Sequence, residues 1–275
     1  SRGGLGTGAV ELKRDFKHLP MTYLHVRDAE ALRALLEQSG VKAVYPLRRA
    51  QPLAATLDLI AQPQAAQLLG QTGAGTVVAV LDTGVNFTSS TFGSCTAPGV
   101  PAASCKVVAA LDTGTDDGSR DDNGHGTSVA GIVLNAAPGT GIAAIDVCDP
   151  TWGCNNVTIV EGIDWAIANQ ETYNIVAINI SLGGGAAYAD PCTGNASYGV
   201  EAAVAEASDA GILTLGASGN NSYVNGINWP ACAPGVVSVG AVYDSNVSNC
   251  TPGVKDSVAC FSNVSDYLSL LTPAS

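Results

Sequence analysis

Two copies of the tetrapeptide Leu-Asp-Thr-Gly offer carboxylates for chemistry, at 81–84 in VVAVLDTGVNF and at 111–114 in VVAALDTGTDD. Paired Asp-Thr-Gly loops can bring two carboxyl groups together to share one proton, the acid–base device of an aspartic protease. A single aspartate at the end of a buried strand can instead orient a histidine as a general base. Of the three histidines, His18 and His25 lie in a basic N-terminal stretch and read as structural or surface residues. His125 stands apart in NGHGTSVAG (123–131), between glycines at the start of a predicted helix of small residues. Small neighbours let a second backbone approach, and a general base needs that room.

Two later stretches could complete a site. NISLGGG (179–185) ends a strand in three consecutive glycines. It is either a flexible turn or an exposed strand edge along which a peptide backbone can lie. GASGNN (216–221) sets Asn220 just past a strand end. Its amide could donate to a developing oxyanion, or simply make a turn.

The elements that must hold these residues alternate. TVVAVLD (76–82), KVVAALD (106–112), IVAINIS (175–181), ILTLGAS (212–218) and VVSVGAV (236–242) are near-continuous apolar runs, the pattern of strands buried on both faces of a parallel sheet. Between them, 125–136, 157–170 and 200–210 carry helical patterns. Alternating strands and helices give an α/β fold, an open doubly wound parallel sheet, whose sites collect at the carboxyl ends of its strands. Asp82, Asp112, Ser181 and Ser218 all fall at predicted strand ends.

The first fifty residues differ: they hold 9 of the 12 basic residues. They read as strand (21–26), helix (28–40, capped by Asp28 and closed by Gly40) and strand (41–47), a small α+β segment. Residues 51–65 read as a linker, and 66–275 as the main domain. No run of about 18 apolar residues suggests a membrane span. A net charge of −12 argues against nucleic acid or an anionic membrane as partner. Eight cysteines without a C-x-x-C pair fall into near neighbours, 95/105, 148/154, 192/232 and 250/260. Sequential disulfides in an oxidising compartment are the expectation, so a secreted, extracellular or periplasmic location is inferred.

Taken together and in this order, the LDTG at 81–84, NGHGTSVAG, NISLGGG and GASGNN resemble the subtilisin-like serine proteases. The resemblance runs from about Gln67 to Ser275. It implies a serine endopeptidase acting on peptide or protein substrates, with Asp82 as triad acid, His125 as general base and Asn220 as oxyanion donor. Ser181, Leu182, Gly183, Gly184 and Gly185, with Ala217, Ser218 and Gly219, would line the substrate cleft. The N-terminal segment resembles the later part of the family's inhibitory propeptide, which makes the protein's own propeptide a partner. No cofactor is required for catalysis.

One departure is serious. The family's nucleophile sits in a Gly-Thr-Ser-Met-Ala type motif, and none follows Asn220. Ser128 stands in the histidine motif and reads as packed. Ser262, Ser265, Ser269 and Ser275 lack the flanking glycine and the small-residue helix. The chain looks cut before its serine, so this polypeptide is expected to be inactive. A pseudo-protease or binding fragment is the alternative. The aspartic protease reading is weak, because Asp82 and Asp112 are only 30 residues apart, too close for two lobes. Structural calcium is common in the family, and Asp116, Asp117, Asp121 and Asp122 could offer oxygens. They fit no recognised calcium spacing and read as a solvated acidic loop, so no metal ligands are assigned. Eight N-x-S/T sequons occur, two of them at Asn179 and Asn220, positions expected to be buried or in the cleft.

Overall fold

The computed structural model describes residues 9–15, 22–42, 44, 54–114, 116–149, 153–247, 250–251 and 253–274. They fall into two units, Ser1–Pro52 and Leu53–Ser275.

In the first unit β1 (Val10–Asp15) pairs antiparallel with β2 (Thr22–Val26), and α1 (Ala29–Leu36) follows. Asp28 caps α1, its Oδ1 accepting the Ala31 N–H at 2.8 Å and satisfying one of the free donors of the first turn. The helix ends earlier than the sequence suggests. Glu37 is its C-cap, and the Ser39-Gly40 pair that follows is a poor helix former. β1 was not expected, because its run VELKRD hides a strand behind charge. The strand expected over 41–47 is not formed at Val41, Lys42 or Val44. Positions 43 and 45–47 lie outside the described residues, as does His18.

The second unit opens with α2 (Ala54–Leu59) and α3 (Gln62–Leu69), within and just past the stretch read as linker. Pro63 stands in the first turn of α3, where a missing N–H costs nothing; the same proline reads as a breaker in the sequence.

Next come β3 (Val77–Asp82), β4 (Val107–Asp112), α4 (His125–Ala136), β5 (Gly141–Asp146), the short β6 (Cys148–Asp149) and β7 (Gly153–Cys154), and α5 (Asn156–Ala168). After them run α6 (Gln170–Tyr173), β8 (Ile175–Ile180), β9 (Gly184–Tyr188), α7 (Val200–Asp209), β10 (Leu213–Ala217), β11 (Ile227–Trp229), β12 (Val237–Tyr243) and β13 (Leu270–Ala274). Seven of these strands form one sheet in the order β13-β12-β10-β8-β3-β5-β4. Every adjacent pair in it is parallel. The fold class is therefore the doubly wound α/β sheet read from the sequence. Two of its strands were not foreseen: β5, inserted between β3 and β4, and the edge strand β13.

The chain leaves β3 toward β4 and β5, then crosses to β8 and builds β10, β12 and β13 on the other side. The strand order reverses at β3 and β8, and a crevice outside the carboxyl ends is expected there. α4 covers β3 and β5 on one face, over a cluster that includes Val80, Phe92, Ala130, Leu134 and Ile142. α5 and α7 pack on the opposite face against Leu81, Ile145, Ile178 and Ile180. All eight cysteines pair, in the sequential pattern.

Candidate active site

Asp82 is the last residue of β3 and is fully buried. His125 is the first residue of α4, and its side chain is 49% exposed. Their contact is short: His125 Nδ1 lies 2.6 Å from Asp82 Oδ1. The Thr83 N–H donates to the same carboxylate oxygen at 2.9 Å. A buried carboxylate on one ring nitrogen fixes the imidazole's orientation and favours a proton on Nδ1, leaving Nε2 as the basic atom. The half-open setting of the ring gives that nitrogen access to a reactant.

Glycine makes the approach feasible. A Cβ on Gly126 would lie 2.0 Å from the Gly84 carbonyl oxygen, so α4 can dock on the turn after β3 only with glycine there. Gly84 itself has φ +84°, and a Cβ would meet the Arg120 carbonyl oxygen at 2.5 Å.

The strand register locates the remaining candidates. Leu81 pairs with Ile180 and Gly216 pairs with the same Ile180. Asp82, Ser181 and Ala217 are thus level at the carboxyl ends of β3, β8 and β10, and β10 lies two strands from β3, about 10 Å away. Asn220 follows β10 in an exposed bend. Asp82 and His125 are brought into contact; Asn220 stands on the same edge of the sheet without a bond to either.

The glycine stretch is split by the structure. Ser181, Leu182 and Gly183 run outside any strand, whereas Gly184 and Gly185 open β9 and pair with β11. Asn228 Nδ2 also donates to Gly185 O at 3.4 Å. The edge free for an added strand therefore narrows to 181–183 and the unpaired side of β9. Ser218 is 2% exposed and donates its hydroxyl to Asn263 O at 2.9 Å, so only its backbone can face a cleft. Gly219 has φ +106°, and a Cβ there would meet Asn228 Oδ1 at 1.9 Å.

The sequence reading missed two groups that hold this site together. The first is Asn263, which is fully buried. Its Oδ1 accepts the N–H groups of Asn221 and Tyr223, and its Nδ2 donates to Ser218 O and Asn228 Oδ1. The loop that carries Asn220 is wrapped around this one amide. Its only sequence signal was a sequon, and complete burial in the fold is incompatible with a glycan there.

The second is Asp121, read from composition as part of a solvated acidic loop. It is half-buried, and its two oxygens accept from Thr83, Asn123, Gly124 and Thr127. Burial alone would raise its pKa, but the donors from Thr127, Thr83 and Gly124 hold it below the usual carboxylate value. With both oxygens engaged it does not suit calcium. Asp116 and Asp117 accept N–H groups of their own turn, from Gly118 and Ser119. Among the described residues no group of three or more His, Cys, Asp or Glu could hold a metal ion.

No serine hydroxyl among the described residues bonds His125. Ser128 is exposed rather than packed, and donates to Gly124 O at 2.9 Å within its own helix. Ser262 and Ser269 bond near β12. Ser275 lies outside the described residues.

On the face that α4 covers, the sheet is unevenly covered. The register turns Leu213, Leu215, Val237, Val239 and Leu270 to the face that α4 covers at β3 and β5. Leu213 is 51% exposed and Leu270 53%. None of the five belongs to either hydrophobic cluster.

Residues 73–274 match the family model of the subtilase family, Peptidase_S8. A thermostable alkaline protease of Halalkalibacterium halodurans is 31% identical over 245 residues, 85% of this chain and 60% of the relative. Subtilisin E of Bacillus subtilis is 31% identical over 189 residues, 64% of this chain and 43% of the relative. The chain thus spans at most about three-fifths of these two relatives. Among solved structures, a cold adapted subtilisin-like serine proteinase aligns with TM-score 0.51 at 26% identity, over 74% of this chain and 64% of the other. A lanthipeptide protease aligns with TM-score 0.58 at 22% identity, over 80% of this chain and 62% of the other, a likeness of fold.

Proposed function

The chain belongs to the subtilase family, and on that premise we propose that Asp82 and His125 are the acid and general base of a serine endopeptidase. The observation that carries the reading is the 2.6 Å contact of a fully buried Asp82 with the half-exposed His125 ring. It sits where the strand order reverses, the expected location of a site in an open α/β sheet.

The remaining roles follow. Nε2 of His125 takes the proton of a serine hydroxyl as that oxygen attacks a peptide carbonyl, then returns it to the leaving amine. The Asn220 amide donates to the oxyanion that forms, a contribution of about 3 kcal/mol where such a donor has been removed. Residues 181–183 and the backbone of 217–219 hold the substrate main chain as an added strand. The hydroxyl this reading requires comes from none of the serines that the structure describes, and the apolar row from Leu213 to Leu270 would receive an element that presents one. The N-terminal unit is part of an inhibitory propeptide. Four disulfides favour an extracellular protein.

A polypeptide of these 275 residues is therefore expected to show no amidase activity on a chromogenic peptide. Turnover that a serine-directed phosphonate abolishes would overturn this, since a serine within the chain would then serve His125. The coding sequence beyond Ser275 decides the rest. A Gly-Thr-Ser-Met-Ala motif there makes the protein an enzyme. Its absence favours a relative that only binds peptide, for which the lack of a serine hydroxyl bonded to His125 among the described residues is the supporting observation.

A further inference from the structure

We propose that Asp121 is the positioning residue that sets the Asp82–His125 contact. The proposal rests on the reading of that pair as acid and base. It assigns the geometry of the pair to a third carboxylate, four residues before the histidine.

The two catalytic candidates come from separate elements. Asp82 ends β3 and His125 begins α4, so their separation depends on how the first turn of α4 is held against the turn after β3. α4 begins poorly by itself: its N-cap is Gly124, with φ +88° and no side-chain cap. Asn123 covers one donor, its Oδ1 accepting the His125 N–H at 2.9 Å. Most of the other side-chain bonds at this junction reach Asp121 directly or through a threonine hydroxyl that donates to it.

Its Oδ1 accepts from Thr83 Oγ1 at 2.8 Å, from Gly124 N at 2.8 Å and from Asn123 N at 3.3 Å. Its Oδ2 accepts from Thr127 N at 2.9 Å and from the Thr127 hydroxyl. Thr83 is the residue next to Asp82, while Gly124 and Thr127 flank His125. One carboxylate thus joins the turn of the acid to the helix of the base.

Both hydroxyls act as relays. Thr83 Oγ1 gives its hydrogen to Asp121 and accepts the Gly126 N–H at 3.0 Å. Thr127 Oγ1 gives its hydrogen to Asp121 and accepts the Asn86 N–H at 2.8 Å. Each is thereby oriented by Asp121 and bonds across the junction, helix to turn or turn to helix. The backbone adds one more tie, from Asp122 N to Thr83 O at 2.9 Å.

This arrangement needs an acceptor on both sides. A carboxylate offers two acceptor oxygens, whereas an amide offers one oxygen and an NH2 group. Asparagine at 121 would face either the Thr83 side or the Thr127 side with donors against donors. A residue that only capped α4 would bond Gly124 and Thr127 and leave Thr83 alone; the bond to Thr83 makes it a bridge.

The test is the hydrogen-bonded Nδ1 proton of His125 in the 275-residue chain, read by NMR. A proton held between imidazole and a buried carboxylate at 2.6 Å resonates at low field, and its loss in His125→Gln assigns it. Asp121→Asn is expected to lose or broaden that resonance while cooperative thermal unfolding persists. Asp122→Asn, an exposed neighbour, is expected to keep it. An Asp121→Asn chain that folds and keeps the resonance overturns the proposal. If Asp121→Asn does not fold, Thr127→Val and Thr127→Ser decide: loss in the valine variant with retention in the serine variant supports the bridge, and retention in both overturns it. A wild-type chain without the resonance removes the Asp82–His125 reading itself, an outcome distinct from the failure of Asp121 to act on it.

Discussion

The turn at Leu81–Gly84 and the turn at Leu111–Gly114 are the same four residues in the same setting, and they do different work. Both close parallel strands, and both aspartates pair in register with Asp146 of β5, one from each side. Asp82 is fully buried under α4 and meets His125 at 2.6 Å. Asp112 is only half-buried and accepts the Gly114 N–H of its own turn at 2.8 Å. Burial, with neighbouring carboxylates at 116, 117 and 149, raises its pKa despite that bond. What a strand-end carboxylate meets is thus set by what packs over it: a helix with small residues in one case, an acidic loop open to water in the other.

Exchanging carboxylate for amide gives the largest contrast. In a form of the protein that turns over peptides, Asp82→Asn is expected to lower kcat by about 10⁴, because the imidazole loses the partner that fixes its tautomer. Asp112→Asn is expected to change it less than about twofold. In the 275-residue chain the same pair separates by the low-field His125 proton, lost in the first and kept in the second. Equal effects of both variants would erase the distinction.

The glycines give the next contrast. Gly84 needs φ +84° and has no room for a Cβ, whereas a Cβ on Gly114 would find its nearest neighbour, Asp149 Cβ, at 3.3 Å. Gly84→Ala is expected to cost about 3 kcal/mol, from backbone strain and the clash with the Arg120 carbonyl. Gly114→Ala should cost under about 1 kcal/mol. Denaturant midpoints of the two variants measure the gap.

The same comparison marks what was legible in the chain. The apolar runs of β3, β4, β8, β10 and β12 were readable because strands buried on both faces are apolar throughout. β5 was missed although Pro138-Gly139 marks a turn before it, because half of its run GIAAID is Gly and Ala, which are poor strand formers. That Asp82 and His125 would meet could be read from motif order. Asp121 and Asn263 could not, because their roles depend on donors that arrive from distant segments: Thr83 is 38 residues from Asp121, and Ser218 is 45 from Asn263. An aspartate in a run of acids and an asparagine in a sequon have no local pattern to betray such partners.

Asp146, between the two turns, adds a pH dependence that belongs to the fold. Burial, followed by the charges of Asp122, Asp112 and Asp121, pushes its carboxyl up to about 7, against the single Cys148 N–H that favours ionisation. An unfolded aspartate titrates near ~3.9. Between those values the native state holds a proton the unfolded chain has released, so stability is full below about pH 4 and falls as pH rises toward 7. Asp146→Asn should remove that fall, about 4 kcal/mol for roughly three pKa units, a shift of several degrees in Tm at pH 8 and little at pH 4. Asp112→Asn should act in the same direction and less. A pH-independent difference between wild type and Asp146→Asn would refute the assignment.

The threonines separate the two turns most finely. Thr83 Oγ1 accepts from Gly126 and donates to Asp121, which ties β3 to α4. Thr113 Oγ1 meets Asp146 O and Thr158 O, each at 3.0 Å, which ties β4 to β5 and α5. Replacing either by valine keeps the shape and removes one hydroxyl, a loss of about 1 kcal/mol for Thr113 and about 2 kcal/mol for Thr83, which also strands a buried donor. The stabilities should differ modestly while the site separates the two sharply. Thr83→Val leaves the Gly126 N–H without an acceptor and frees the first turn of α4 to drift from Asp82, so the low-field His125 proton should broaden or vanish. Thr113→Val loosens a junction on the far side of β5 and should leave that proton unchanged. If both variants kept the signal, the difference between the turns would lie in Asp82 alone. If both lost it, the carboxyl edge of the sheet would be acting as one unit, and the contrast between the two tetrapeptides would reduce to the position of one histidine.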